Sequence, residues 1–210
     1  MNAVDVISIR SSATGRTIRA TAAADLEALA RGILTEFEEH APAWRDGYTI
    51  ELGWGPLTLR ADGEEIIVVA PDYARDPAHT TEDLSLTIWL AVSLNALPSA
   101  AGLSAAQISF DDDVICVKEW ERHPLLSLTR IATTTPRDSG WFVEPFPPAS
   151  DEPWRAEQLV RLPAWRVLQE RRAVARSFGL PVGVTAIVEG DAVRTLVRES
   201  DRAVLAEGPL

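Results

Sequence analysis

At 210 residues and 46% apolar content, the chain can build one large domain or two small ones, and it is too apolar for a disordered tail. A formal charge of -11 disfavours nucleic acid and favours a basic partner. The single cysteine, Cys116, excludes an internal disulfide, and its apolar neighbours Val114, Ile115 and Val117 predict a buried thiol.

The opening residues do not join basic side chains to an apolar run, so no signal peptide is expected. The longest apolar region, 84–97, is interrupted by Ser85, Thr87, Ser93 and Asn95 and falls short of the ~20 residues that a bilayer requires. A soluble, cytoplasmic protein with no membrane contact is the expectation. The acidity is uneven: residues 1–104 carry 15 acids against 7 bases, and residues 105–210 carry 16 against 13.

In chain order, residues 3–10 alternate and predict a strand. Thr21 is placed to cap a helix running to about residue 41, with Leu26, Leu29, Ala30, Ile33 and Phe37 on one face. Residues 48–54, 57–61 and 65–70 predict an antiparallel meander, turning at Gly53-Trp54-Gly55-Pro56 and at Asp62-Gly63. Pro71-Asp72 and Asp76-Pro77 mark a loop. Thr80-Thr81-Glu82-Asp83 fits a capping box for a second helix, ended by Pro98. The small-residue stretch 99–104 is the expected boundary between halves 1–104 and 105–210.

In the second half, 106–110, 114–120, 125–133 and 141–144 predict strands, and 157–162 a short extended segment. Asp111-Asp112-Asp113 then reads as a hairpin turn, and Asp138-Ser139-Gly140 as a turn leading Trp141 into the core. A third helix starts at Pro163, ends with Gly179 at its C′ position, and is stopped by Pro181. Residues 182–188 and 192–198 form a closing hairpin about Gly190-Asp191. The expected class is α+β: antiparallel sheets packed with about three helices, in two halves of similar size.

Chemistry-bearing residues are sparse. His40, His79 and His123 stand apart from one another, and none has metal-ligand spacing to another His or to Cys116. The three consecutive aspartates lack the alternate spacing and the glycine of a calcium loop. The glycines of 179–183 precede a strand, whereas phosphate cradles sit at helix N-termini. No catalytic, metal or cofactor site is therefore expected. An enzyme of unknown type stays open, and a deep pocket holding His123 with two or more carboxylates would favour it. Trp89, Trp141 and Trp165 lie on apolar patterns and are expected in the core. Trp44, Trp54 and Trp154 lie in turn or loop contexts, and with Asp111, Asp112 and Asp113 they are the candidate partner-binding residues. The arginines from Arg155 to Arg176 read as a solvated basic face.

Val114-Ile115-Cys116-Val117, residues 126–133 and Arg137-Asp138-Ser139-Gly140-Trp141 together resemble a family of predicted bacterial immunity proteins with a DSGW signature, found beside polymorphic toxins. Residues 159–181 and Leu180-Pro181-Val182-Gly183 look like the tail of such proteins. The likeness covers roughly 105–200; the first half is similar only in its helix–meander–helix order and in the Thr81-Glu82-Asp83-Leu84 helix start. The resemblance implies a cytoplasmic protein that binds and blocks a cognate toxin, without assigning catalytic residues. The rival class is an adaptor or chaperone for a secreted effector.

Overall fold

The structure is a computed structural model, and it describes residues 4–148 and 152–210. These residues form an α+β protein with two mixed sheets, in two compact units that divide between residues 91 and 92. The division falls inside a helix rather than at the 99–104 connector.

The first unit is built on β1 (Val4–Arg10), β2 (Thr17–Ala23), β3 (Thr49–Leu52), β4 (Gly55–Asp62), β5 (Glu65–Asp72) and β6 (Asp76–Thr81), in the order β1-β2-β5-β4-β3 with β6 also on β5. The meander β3–β4–β5 is antiparallel as its turn residues predict, but β2 runs parallel to β5. Thr21 thus lies in a strand and caps nothing. Ile18, Ala20 and Ala22 of β2 turn fully buried side chains to the core, and the two alanines leave room for α1 (Glu27–Glu39) above them. The buried face of α1 is Ala30, Ile33, Leu34 and Phe37; Leu29, expected on it, is exposed. Ile66 to Ala70 of β5 are all buried, the continuous apolar run of a central strand. Each large side chain in this core contributes about 1.5–3 kcal/mol by leaving water.

The segment expected as a loop at 71–77 is partly β6, an exposed strand on β5. Its presence moves the second helix later: α2 is Ser85–Ala100, and the carboxylate of Asp83, not a threonine, accepts the Ser85 amide at 2.9 Å. Pro98 sits inside its last turn instead of ending it. Having no N–H, Pro98 cannot bond the Leu94 carbonyl four residues back. That carbonyl is instead met by Gly179, where an added Cβ would come within 1.9 Å of the oxygen. Gly179 is glycine for this close approach and not as a left-handed helix cap.

The second unit carries β7 (Asp113–Val117), β8 (Leu125–Arg130), β9 (Asp138–Pro145), β10 (Leu159–Pro163), β11 (Val184–Glu189), β12 (Ala192–Arg198) and β13 (Val204–Glu207), in the order β10-β7-β9-β8-β11-β12-β13. Only β7 and β9 pair in parallel. Residues 106–110 alternate but form no strand, so the three aspartates lead into β7 rather than turning a hairpin. The predicted third helix is two helices, α3 (Ala164–Glu170) and α4 (Arg172–Arg176), broken at Arg171, whose backbone is extended at φ -155° and ψ 101°. The hairpin β11–β12 turns at Gly190-Asp191 as expected.

Candidate functional site

The Asp138-Ser139-Gly140-Trp141 stretch is not a turn before a strand; it is the first half of β9. Ser139 Oγ donates to the Asp113 carbonyl at 2.6 Å and accepts the Trp141 amide at 3.2 Å, tying β9 to β7. The Gly140 amide donates to Asp138 Oδ1 at 2.9 Å. Gly140 has φ +75°, and a Cβ there would lie 2.1 Å from the Ile131 carbonyl oxygen. Trp141 is buried, stacks obliquely on Phe178 with centroids 5.6 Å apart, and donates its indole N–H to the Phe178 carbonyl at 3.3 Å. Every member of the motif thus knits the fold together.

The candidate aspartates are also turned to internal work. Asp111 accepts Ser109 Oγ at 2.7 Å and pairs with Arg137 at 3.1 Å. Asp112 accepts the Ser109 amide at 2.7 Å, and Asp113 pairs with Arg161 at 3.1 Å. Trp44 is buried, and its indole N–H donates to the Phe37 carbonyl at 2.8 Å, satisfying a helix-end acceptor. Trp54 is buried edge-on to Tyr73, centroids 5.4 Å apart. As core side chains, these two tryptophans offer a partner no surface. Trp89 and Trp165, expected in the core, are only half-buried.

Two arginines hold this unit together, one that sequence reasoning passed over and one that it placed on a solvated face. Arg130 donates to the carbonyls of Ser139 (3.0 Å), Leu180 (3.2 Å) and Gln107 (2.9 Å), with its guanidinium 5.8 Å from the Trp141 ring centroid. Burial lowers its pKa from the ordinary arginine value, with Asp112 opposing the shift. The cue was periodic: Leu126, Leu128 and Arg130 share one face of β8, and the first two are fully buried. Arg171, placed by sequence on a solvated face, is buried and donates to the carbonyls of Gly190 (2.9 Å), His123 (2.6 Å) and Pro124 (2.9 Å). Burial lowers its pKa as well, against the pull of Asp191. The helix break at Arg171 is what turns its guanidinium toward these carbonyls.

Arg171 thereby fixes one wall of an open groove of about 480 Å³ at the end of the sheet. Three strand ends line it: Val117 at the end of β7, Pro145 at the end of β9 and Leu125 at the start of β8. Its surface is apolar and stiff, made of Phe146, Trp154, Pro124, Pro145, Pro147 and Leu125. Phe146 is 42% exposed. Trp154 is half-buried and held by its indole N–H on Glu144 at 2.7 Å. Of the six candidate binding residues, Trp154 alone lines the groove.

His123 and Lys118 also line the groove, with Glu157 as its one carboxylate among the described residues. Lys118 is the chain's only lysine and also lines a neighbouring groove of about 410 Å³, with Glu119, Glu121 and Glu170. Glu119 adopts left-handed backbone at φ 62°, a conformation that side-chain-bearing residues rarely take. Among the described residues, no three His, Cys, Asp or Glu side chains are grouped to hold a metal ion, and no helix is long and apolar enough to cross a membrane.

Fold and site together define an α+β protein with two mixed-sheet units and a preformed apolar groove. No family model, curated protein or solved structure matches this chain.

Proposed function

We propose that this chain is a non-enzymatic binding protein of the immunity type, which neutralises a cognate bacterial toxin by direct contact through the groove at the end of β9. The observation that carries the reading is the exposed Phe146 and the half-buried Trp154, which line the groove with three prolines at the ends of three strands. Aromatic side chains in a stiff setting lose little conformational entropy on binding, which is why they dominate interface energetics. The resemblance of 105–200 to DSGW immunity proteins supplies the partner class. The net charge of -11 suits a basic toxin by speeding encounter.

Co-purification with the product of the adjacent gene, together with protection of cells expressing that product, tests the proposal. Protection is expected, and it is expected to fall when Phe146 and Trp154 are both replaced by alanine. Failure to protect against every neighbouring toxin candidate would sink the reading. Loss of effector export on deletion, without loss of protection, would move the chain to the adaptor class.

A further inference from the structure

We infer that the outer edge of β1 pairs with β1 of a second copy of this chain, joining two first-unit sheets into one antiparallel sheet across a two-fold axis. The ladder fixes which backbone groups are free. The Ser11 amide donates to the Arg16 carbonyl at 2.8 Å, and the register continues from that pair through Ile9–Ile18, Ile7–Ala20 and Asp5–Ala22. Antiparallel residues alternate between pairs that exchange hydrogen bonds and pairs that do not. Val4, Val6, Ser8 and Arg10 therefore turn their N–H and C=O groups away from β2. The far side of β2 shows the same phase. The carbonyl of Thr21, opposite Val6, accepts the Leu84 amide, and the amide of Ala23, opposite Val4, donates to Ser85 Oγ, both at 2.8 Å.

The other sheet edges among the described residues are guarded in ways that β1 is not. β3 and β13 have four residues each, and β13 adjoins a register shift. β6 contains Pro77 and meets β5 across a register shift. β10 ends in Pro163, and its Leu159 amide already donates to the Ala156 carbonyl. β1 pairs with β2 in unbroken register over seven residues without a proline, and its Val4 and Val6 are 48% and 64% exposed. A long, regular, apolar edge is a template for another strand.

The occupant follows from the strand's own sequence. β1 carries one acid and one base, Asp5 and Arg10. It thus offers no net charge to a partner selected by charge, and a copy meets no local repulsion although the whole chain stands at -11. With Ile7 on the two-fold axis, all seven residues pair: Val4 faces Arg10, Val6 faces Ser8 and Asp5 faces Ile9 of the other copy. Outward residues then meet outward residues, so the bonding phase is right. No like charges stand opposite, and the two Val6 side chains lie diagonally across the axis on one face. Two-fold pairing of one surface with itself is the commonest assembly of soluble chains.

Sedimentation of the full chain from about 10 μM to about 1 mM, with hydrogen exchange followed along β1, tests the pairing. A concentration-dependent dimer is expected, in which the Val6 and Ser8 amides exchange at least about tenfold more slowly than in the monomer. Val6→Pro removes an outward donor and no β1–β2 bond, a setting in which a strand accepts proline. It should weaken the dimer by about tenfold or more and leave the thermal melt of the monomer nearly unchanged. Val6→Lys keeps the backbone intact but sets two ammonium groups across the axis, and should also weaken the dimer; Val6→Thr should keep it. A chain still monomeric at about 1 mM, a dimer untouched by both Val6→Pro and Val6→Lys, or a dimer whose Val6 and Ser8 amides exchange as in the monomer would each overturn the inference. So would a monomer that loses toxin binding with Val6→Pro, which would give the edge to a foreign strand.

Discussion

The two ends of β9 are built for opposite purposes. Its first half, Asp138 to Trp141, is bonded to β7, to Arg130 and to Phe178, and Ser139, Gly140 and Trp141 are buried. Its far end, Pro145, opens into the groove that exposes Phe146. The recognisable motif and the candidate binding surface are therefore on one strand but do not overlap. A short motif can be held in place by what the fold requires, while the proposed contact surface lies a few residues further along.

The largest effect is expected at the buried end. Gly140→Ala places a methyl group 2.1 Å from the Ile131 oxygen on a backbone at φ +75°. Neither the carbonyl nor the strand can yield cheaply, so a loss of about 4 kcal/mol or more is expected, read as a collapse of the urea midpoint. Trp141→Ala should cost about 3–5 kcal/mol through the cavity it leaves. It also strands the Phe178 carbonyl. If either variant kept wild-type stability and lost partner binding, the motif would be a contact site and the comparison would fail.

Arg171 links the core to the groove and is expected to come next. Arg171→Met takes the guanidinium donor from the His123 and Gly190 carbonyls and one of two donors from Pro124, whose carbonyl keeps the Gly190 amide at 2.9 Å, at about 1–3 kcal/mol for each acceptor left unpaired that cannot reach water. Lysine should not rescue it, because one ammonium cannot reproduce a fork that spans three acceptors. Partner affinity should fall with stability here, since the His123–Pro124 wall loses its brace. Equal affinity in a folded Arg171→Met variant would show that the wall does not contribute.

Between the two ends lies Cys116, paired in register with Val143 of β9. Burial, aided by the charge of Glu121, pushes its thiol from 9.0 up to about 12. The unfolded chain ionises first, so the stabilising contribution is intact below pH 9 and is lost as pH rises toward 12. Cys116→Ala should flatten this alkaline decline in denaturation midpoints. The native thiol should also resist alkylation at neutral pH until the chain unfolds.

How much of this was legible in the sequence depended on side-chain size and on distance along the chain. The β5 run from Ile66 to Ala70 and the Gly190-Asp191 hairpin announce themselves, because a buried strand and a tight turn need local residue types. β2 was hidden because its inward positions include Ala20 and Ala22, small enough to admit α1 but weak as a strand signal. β6 and β13 are short, largely exposed strands with little apolar pattern to read. The groove draws on 117–125, 145–147 and 154–158, which are far apart in sequence and brought together by sheet pairing. Trp154 could be flagged as a loop tryptophan, whereas Phe146, lying between prolines, gave no periodic cue at all.

The smallest effect on stability, and the one that decides the comparison, is expected at Phe146. Phe146 is 42% exposed, so Phe146→Ala removes a little over half of the burial of a phenyl side chain and should cost about 1–1.5 kcal/mol of unfolding free energy. The same ring should matter more to a partner, because docking would bury the rest of it and such anchors commonly cost 2 kcal/mol or more on truncation, roughly a thirtyfold loss of affinity. Paired urea unfolding and calorimetric titration of wild type and variant separate the two quantities. A large loss of stability with unchanged affinity would make Phe146 a core residue like Trp141, and would erase the difference between the two ends of β9.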